Sequence, residues 1–341
     1  PLPLRLVGLV ISGIALATCF APLHECGHRT VFRSRRLNDA VAWWMGLLSF
    51  YNADFYRRYH QWHHRYTHQP GLDPELEDPV PTTLSGYLLE VSGWNWWTGK
   101  VRGHARLLWG DLSQVPYLSP ELIPQVRRSI RLQFAVYGVL AALSLIGGNG
   151  FLLWSWLIPL AIGQPVLRVL LLAEHTGCAY GDDGLANTRT TLTAAPVRWL
   201  MWNMPFHAEH HLYASLPFHA LPAAHCWIGP RLQHLDRGYL AVHRDLLGRL
   251  AVATKLVGLL LGRREGIVGA KALGVGSRRQ HRVQRVAVAR IGVLRALRGR
   301  RVGRQVGHRR VRGVGDRGVG DSGVRGHRDG GWSRRTHRRD D

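Results

Sequence analysis

The stretch LQFAVYGVLAALSLIGGNGFLLWSWLIPLAIGQPVL, residues 132–167, decides the fold class because none of its 36 residues carries a charge. The glycine-rich cluster at residues 147–150 favours a turn near its middle. Two long apolar runs joined by an uncharged turn are hard to bury inside a soluble domain of this size. The stretch therefore predicts a transmembrane helical hairpin.

A further charge-free run of 18 residues, 6–23, is nearly as long as a bilayer-spanning helix and predicts a span near the start of the sequence. The apolar runs at 40–51 and 84–97 are too short to span, so we expect core or interfacial helices there. Because a hairpin crosses twice, the chain before and after it lies on one side, and the basic residues there predict the cytoplasm. The predicted fold class is an all-α, polytopic membrane protein with a cytoplasmic helical cap.

The net charge of +23 suggests a nucleic-acid binder, but the basic residues are concentrated at the end of the chain. Residues 263–341 hold 23 Lys and Arg against 6 Asp and Glu, whereas residues 1–262 hold 22 and 16. This Arg/Gly/Val-rich tail has no helical or strand period, which predicts disorder or a frameshift-derived translation. It supports only nonspecific electrostatic contact, so we expect one functional domain, 1–262, and no specific nucleic-acid partner.

Histidine is the residue type that points to chemistry: three of its clusters are HECGH (24–28), HQWHH (60–64) and HAEHH (207–211). Residues three and four apart share a helix face, so each cluster groups its imidazoles. Eight imidazoles exceed the four-ligand shell of one structural zinc, which predicts two metal ions. Imidazole is a ligand for iron, zinc, copper or nickel, so the ligand type alone does not select the metal. A site embedded in a bilayer suits oxygen chemistry on an apolar substrate better than hydrolysis of a water-soluble one, which favours iron. The eight candidate ligands are His24, His28, His60, His63, His64, His207, His210 and His211.

Two other interpretations of the histidines stay open at this point. The first cluster also matches the H-E-x-x-H motif, in which His24 and His28 would bind zinc and Glu25 would act as general base. That membrane protease would need a third ligand, such as Asp73, and would leave the other two clusters without a task. In the second interpretation, the chain is a non-enzymatic basic membrane protein, and its histidines bind no metal.

With these three boxes, and with HECGHRTVF (24–32) and NMPFHAEHHLYASLPFHALP (203–222), the chain resembles the membrane fatty acid desaturase superfamily over about residues 6–247. The resemblance implies a non-haem di-iron centre held by the box histidines and by His175, and oxygen-dependent desaturation of an acyl chain or lipid. It also implies an external electron donor, a ferredoxin or a cytochrome b5-type protein with its reductase. A hydroxylase or ketolase acting on a carotenoid or another apolar substrate is the nearest alternative within the superfamily.

The sequence departs from the superfamily pattern where stearoyl-type members place an asparagine four residues before the additional histidine. Leu171 occupies that position, and Glu174 is a candidate replacement ligand. No catalytic residue beyond the metal ligands is expected. Carboxylates near the boxes are candidates to orient the ligand rings through their second nitrogen. These candidates are Glu25, Asp39, Asp54, Glu174 and Glu209.

Overall fold

Three helical segments are long and apolar enough to cross a membrane in the computed structural model, which describes residues 2–77 and 80–265, with side chains as far as residue 252. They are Leu2–His28, Ile123–Ile146 and Leu153–His175. These segments agree with the predicted amino-terminal span and the predicted hairpin. The hairpin turns where the glycine cluster lies, and Gly148 and Gly150 adopt φ angles of 60° and 58°, which glycine tolerates without strain.

Within the described residues the fold is mostly helical. The α-helices are α1 Leu2–Thr18, α2 Phe20–His28, α3 Arg35–Ser49, α4 Ala53–Arg65, α5 Leu84–Val91, α6 Trp94–Trp109, α7 Ile123–Ile146, α8 Ile158–His175, α9 Ala195–Leu200, α10 His207–Leu212, α11 Leu221–Ile228 and α12 Tyr239–Glu265. Short 3-10 turns lie at Pro74–Leu76, Phe218–Ala220 and Gly229–Arg231, and a π-helical turn, Leu153–Leu157, precedes α8. The predicted tail lies outside the described residues from residue 266 onward.

One short parallel strand pair departs from the all-α prediction. Strand β1, Thr190–Leu192, pairs with β2, Leu235–Arg237, in the register Thr190 to Leu235. Next to β1, the buried Arg189 side chain forms an ion pair with Asp236 of β2, with Nε and Oδ2 2.8 Å apart. The strands are only three residues long, which is why the sequence shows no alternating pattern for them.

Helices α1 and α8 approach each other most closely at two glycines. A Cβ atom built on Gly13 would collide with the backbone carbonyl of Pro159 and lie 3.0 Å from the Gly163 nitrogen. Small residues allow membrane helices to pack with their backbones in contact. From this crossing, α1 and α2 run towards His28, and α8 runs towards His175. Both helical segments therefore carry histidines at the same end of the bundle.

Helix α4, which carries the second histidine cluster, is fixed at its start by Asn52. Its side-chain oxygen accepts the Phe55 backbone N–H at 3.0 Å, a standard amino-terminal cap. Its amide nitrogen donates to Gln133 Oε1 of α7 at 3.0 Å, and Gln133 donates in turn to the Tyr51 carbonyl. These buried hydrogen bonds connect the start of α4 to α7, one of the three candidate membrane-spanning segments.

Candidate metal centre

Nine histidines from four helices converge where the ends of α2, α4, α8 and α10 meet. Helix α2 contributes two of them, α4 three, α8 one and α10 three. They are His24, His28, His60, His63, His64, His175, His207, His210 and His211. The structure therefore brings together the eight box histidines and the additional histidine of α8.

The first of two groups of imidazoles contains five rings. One nitrogen of each lies within 4.8 Å of the ligand nitrogens of the others. Within it, His60 Nε2 and His64 Nε2 are 2.9 Å apart. Members of this group are His24, His28, His60, His64 and His210.

The second group contains His63, His175 and His211, whose ligand atoms also lie within 4.8 Å of one another. His207 joins it, because its Nε2 atom lies 3.1 Å from Nε2 of both His175 and His211. Each of these two neighbouring groups of imidazoles could hold a metal ion.

Unpartnered nitrogen atoms show that this donor set fits metal ions. Nε2 of His24, His28 and His210 is buried and has no hydrogen-bond partner among the described residues. An unpaired buried polar atom is costly, and a bound cation would remove that cost. Burial, as the main cause, lowers the pKa of His60, His64 and His210 well below the usual value, so these rings are neutral and offer a lone pair. An all-imidazole site of this kind suits iron as well as zinc, copper or nickel.

Two buried carboxylates orient ligand rings through the nitrogen that faces away from the other histidines. Glu25 Oε1 lies 2.9 Å from His24 Nδ1 and 3.7 Å from His210 Nδ1. Asp73 Oδ1 lies 2.9 Å from His63 Nδ1, and its other oxygen accepts the His68 backbone N–H at 2.6 Å. Carboxylates in this position fix the ring and raise its basicity as a ligand.

Two further contacts complete this support. Thr67 Oγ1 lies 2.9 Å from His211 Nδ1, and the Asn187 carbonyl oxygen lies 3.2 Å from His175 Nδ1. Thr67 also donates to the His63 carbonyl, four residues earlier, so it continues the helical face of the second box. Because Thr67 lies three residues after His64 and four after His63, helical spacing could have identified it from the sequence.

The other predicted supporting carboxylates contact different partners. Asp39 pairs with Arg29 and Arg57, and Asp54 accepts a hydrogen bond from Gln125 at 2.8 Å. Buried Glu209 contacts Thr190 and His225, so it ties α10 to β1 and α11. The structure places none of these three against a histidine of the two groups within the described residues.

Two carboxylates lie beside the second group. Glu174 Oε2, the candidate replacement for the missing asparagine, is 3.4 Å from His207 Nε2. Glu75 Oε2, which the sequence did not indicate, is 3.6 Å from His63 Nε2. Although burial opposes protonation of His63, Glu75 and Asp73 outweigh it and raise its pKa. A cation at this position would therefore find carboxylates as well as imidazoles.

We expect Asp73→Asn to weaken metal binding at the second group by about 10- to 100-fold, the usual effect of removing an orienting carboxylate. Iron retained per chain after dialysis against a chelator measures this. Asp54→Asn is the matched control, because Asp54 is close to the second box in sequence and contacts Gln125 instead. Equal iron retention in the two variants would contradict the role given to Asp73.

A cavity of about 400 Å³ reaches the histidines of both groups. The cavity is lined by His24 and His60 of the first group and by His63, His175 and His207 of the second. Apolar and aromatic side chains line much of the rest, including Phe20, Tyr56, Trp96, Leu171 and Met204. The arrangement can hold an apolar chain beside two metal ions.

Comparison with known proteins agrees with this geometry. A family model described as fatty acid desaturase matches residues 1–243. The chain is 25% identical over 237 residues to the sn-1 oleoyl-lipid 12-desaturase of Synechocystis sp., an alignment that covers 63% of this chain and 65% of that protein. It is 26% identical over 210 residues to the rat sphingolipid delta(4)-desaturase/C4-monooxygenase DES2, covering 59% and 58% of the two chains. The chain thus aligns with about two thirds or less of the length of these relatives.

Proposed function

Because the chain belongs to the fatty acid desaturase family, we propose that it is an oxygen-dependent membrane oxidoreductase that introduces a double bond into an acyl chain. The observation that carries this proposal is the pair of buried and half-buried imidazole groups beside a cavity that apolar and aromatic side chains line in large part. The names of the relatives, a lipid 12-desaturase and a sphingolipid desaturase, support an acyl lipid as the substrate class.

In this proposal, two iron ions supply oxygen activation when bound, and the protein supplies their position and that of the substrate. The nine histidines hold the ions, while Glu25 and Asp73 keep ligand rings in one orientation. The cavity walls, including Phe20 and Leu171, hold a methylene chain beside the histidines and exclude water. Removal of two hydrogens from adjacent methylenes, with reduction of O₂ to two waters, consumes two electrons and two protons from outside the acyl chain.

These electrons come, in our proposal, from a ferredoxin or a cytochrome b5-type donor with its reductase. The histidine-bearing ends of α2 and α8 lie at the same end of the bundle. Exposed basic residues such as Arg33, Arg35 and Arg36 lie in the segment between the spans, which supports a cytoplasmic location for this side by the positive-inside rule. A basic face also attracts an acidic donor protein and speeds the encounter.

The zinc protease alternative agrees less well with this geometry, because a catalytic zinc has three protein ligands and keeps a fourth position open for water. His24 and His28 share their group with three imidazoles from other helices, so a zinc ion there would meet five histidine ligands. Glu25, the general base of that alternative, is fully buried and contacts His24 Nδ1 instead. The motif H-E-x-x-H therefore serves here as a histidine box with an orienting carboxylate.

Hydroxylation is the second candidate outcome at the same site. One relative carries both activities in its name, a delta(4)-desaturase and a C4-monooxygenase. The two reactions share the removal of a first hydrogen and differ in whether a second hydrogen leaves or a hydroxyl group is added. The product therefore decides between them.

We expect the full chain, expressed with a ferredoxin and its reductase in a host with defined lipids, to produce a new double bond that mass spectrometry of the acyl chains detects. The His63→Ala variant should produce none, because His63 belongs to the second imidazole group. A hydroxylated acyl chain from the unaltered protein would favour the second candidate. The same lipid profile with the unaltered chain and with His63→Ala would overturn the proposal.

A further inference from the structure

Oxidisable aromatic side chains lead away from the first imidazole group. Tyr56 is buried, and its ring stacks on that of His60, with the centroids 5.2 Å apart and the planes at 11°. The ring of Tyr59 lies 6.4 Å from that of Tyr56, and the ring of Tyr117 lies 5.8 Å from that of Tyr59. The first of these rings therefore lies directly against a candidate metal ligand.

The same series of rings continues to half-buried positions. The indole of Trp62 lies 6.4 Å from the ring of Tyr117 and 4.8 Å from that of Tyr66, measured between centroids. Tyr117, Trp62 and Tyr66 are half-buried, and Gln61, next to Trp62, is exposed. Solvent therefore reaches the outer end of the series. The aromatic series, as we call it, consists of Tyr56, Tyr59, Tyr117, Trp62 and Tyr66.

Packing alone does not require oxidisable side chains at these positions. Phe55 packs against both Tyr59 and Tyr117, with ring centroids 6.3 and 5.7 Å apart, so a phenyl ring fits the same cluster. Phenol and indole rings give up an electron far more readily than a phenyl ring or an aliphatic side chain does. Five rings of these two types, in contact from a metal ligand to half-buried positions, form a possible route for electrons.

Tyr56 also begins a second branch, which provides a comparison. Its ring lies 5.5 Å from that of Tyr51, and the ring of Tyr51 lies 5.8 Å from that of Trp96. Tyr51 and Trp96 are both oxidisable, but both are buried. The aromatic series and this branch thus differ in their access to solvent.

We propose that the aromatic series protects the protein by carrying electrons from its surface to the metal centre when O₂ is activated without a bound substrate. This inference rests on the proposed function. In productive turnover, the carbon–hydrogen bonds supply two of the four electrons that reduce O₂ to two waters. Without a substrate, the box histidines would be oxidised in their place unless another source supplies those two electrons.

A low-molecular-weight thiol is the source of electrons in this proposal, and Trp62 is where they enter. Two thiols release two electrons and two protons and form one disulfide. Together with the two electrons and two protons from the donor protein, they reduce O₂ to two waters. Trp62 keeps its Nε1 proton, which is hydrogen-bonded to the Leu72 carbonyl at 3.0 Å, and the thiol protons pass to water.

The phenols of the series need a place for their protons while they are oxidised. Tyr56 and Tyr59 line the cavity together with Glu75, and the Glu75 charge acts on both phenols. Their protons move to this carboxylate and return when the rings are reduced. Half-buried Tyr117 exchanges its proton with water in the same way. Each tyrosine thus ends the cycle unchanged.

A single turnover without substrate tests the proposal. The detergent-purified full chain with its iron is reduced by stoichiometric dithionite and then mixed with O₂, with neither lipid substrate nor thiol present. We expect an aromatic radical in the electron paramagnetic resonance spectrum, and mass spectrometry should find oxygen added to Trp62 and Tyr66 rather than to the box histidines. Glutathione added with the O₂ should remove both the radical signal and the added oxygen.

Two variants decide whether the series carries these electrons. Tyr59→Phe removes only a hydroxyl group but interrupts the series, so it should lose the oxidation of Trp62 and gain oxidation of the box histidines. Tyr51→Phe is the matched control, because it interrupts the buried branch from Tyr56 and should keep the oxidation of Trp62. Iron content and melting temperature report whether each variant is folded. Unchanged oxidation of Trp62 in folded Tyr59→Phe, or its loss in folded Tyr51→Phe alone, overturns the inference.

The outcomes for this inference and for the proposed function are separable. A chain that consumes O₂ and desaturates lipids, but forms no aromatic radical without substrate, refutes only the role of the series. A chain that forms the radical and oxidises Trp62, but yields neither an alkene nor an alcohol from any lipid, refutes the proposed reaction and leaves the series standing. A reduced chain that consumes no O₂ refutes the proposed function, and this inference fails with it.

Discussion

His210→Ala is expected to lower the iron content from about two ions to about one per chain and to abolish product formation. His210 is 1% exposed and belongs to the five-imidazole group, where both of its ring nitrogens have no hydrogen-bond partner among the described residues. Removing it takes away the one ligand that α10 gives to this group and leaves the second group intact. Elemental analysis of the detergent-purified full chain measures the loss.

His219→Ala provides the control for that experiment. His219 is exposed, lies nine residues after His210, and belongs to neither imidazole group. It should keep about two irons and full activity. Two irons and unreduced activity in His210→Ala would be fatal to the di-iron assignment, and bound zinc without iron in the unaltered chain would replace iron as the metal.

The sequence predicts which histidines come together but not how they divide between the two groups. Each box is a continuous motif, yet the structure assigns His60 and His64 to the first group and His63 to the second. Helical geometry explains this, because residues four apart differ by only about 40° around the axis, whereas His63 and His64 differ by about 100°. In the third box the pair four residues apart, His207 and His211, joins the second group instead. Which group a pair joins depends on how α4 and α10 pack, and no local pattern encodes that.

Supporting carboxylates are harder to predict than ligands for a related reason. Asp54 and Asp39 are near the boxes in sequence, but each lies on a helix face that contacts other elements. Asp73 reaches His63 because the chain after α4 folds back, with His68 at a φ of 58° and its N–H bonded to Asp73. The long apolar spans, in contrast, follow directly from the charge-free runs, since their length and hydrophobicity alone satisfy the demands of the bilayer.

Gly13→Leu is expected to lower the melting temperature in detergent by about 10 °C, because a side chain there forces two helix backbones apart. The Cβ atom alone would collide with the Pro159 carbonyl of the facing helix, α8. Gly163, which also lies at this contact, has no side chain that could move away. Thermal unfolding followed by size-exclusion chromatography of the detergent-solubilised chain measures the change.

Gly8→Leu is the matched control, because a Cβ atom built on Gly8 of the same helix meets nothing within 4 Å. This variant should leave the melting temperature unchanged.

We expect the crossing to affect the metal centre as well. His24 lies eleven residues beyond Gly13 and His175 twelve beyond Gly163, so about 17 Å of helical chain connects the contact to each imidazole group. Displacing α1 from α8 would separate ligand atoms that lie within 4.8 Å of one another. We therefore expect Gly13→Leu to lose iron as well as stability. A variant that loses stability but keeps two irons would show that the metal centre does not depend on this crossing.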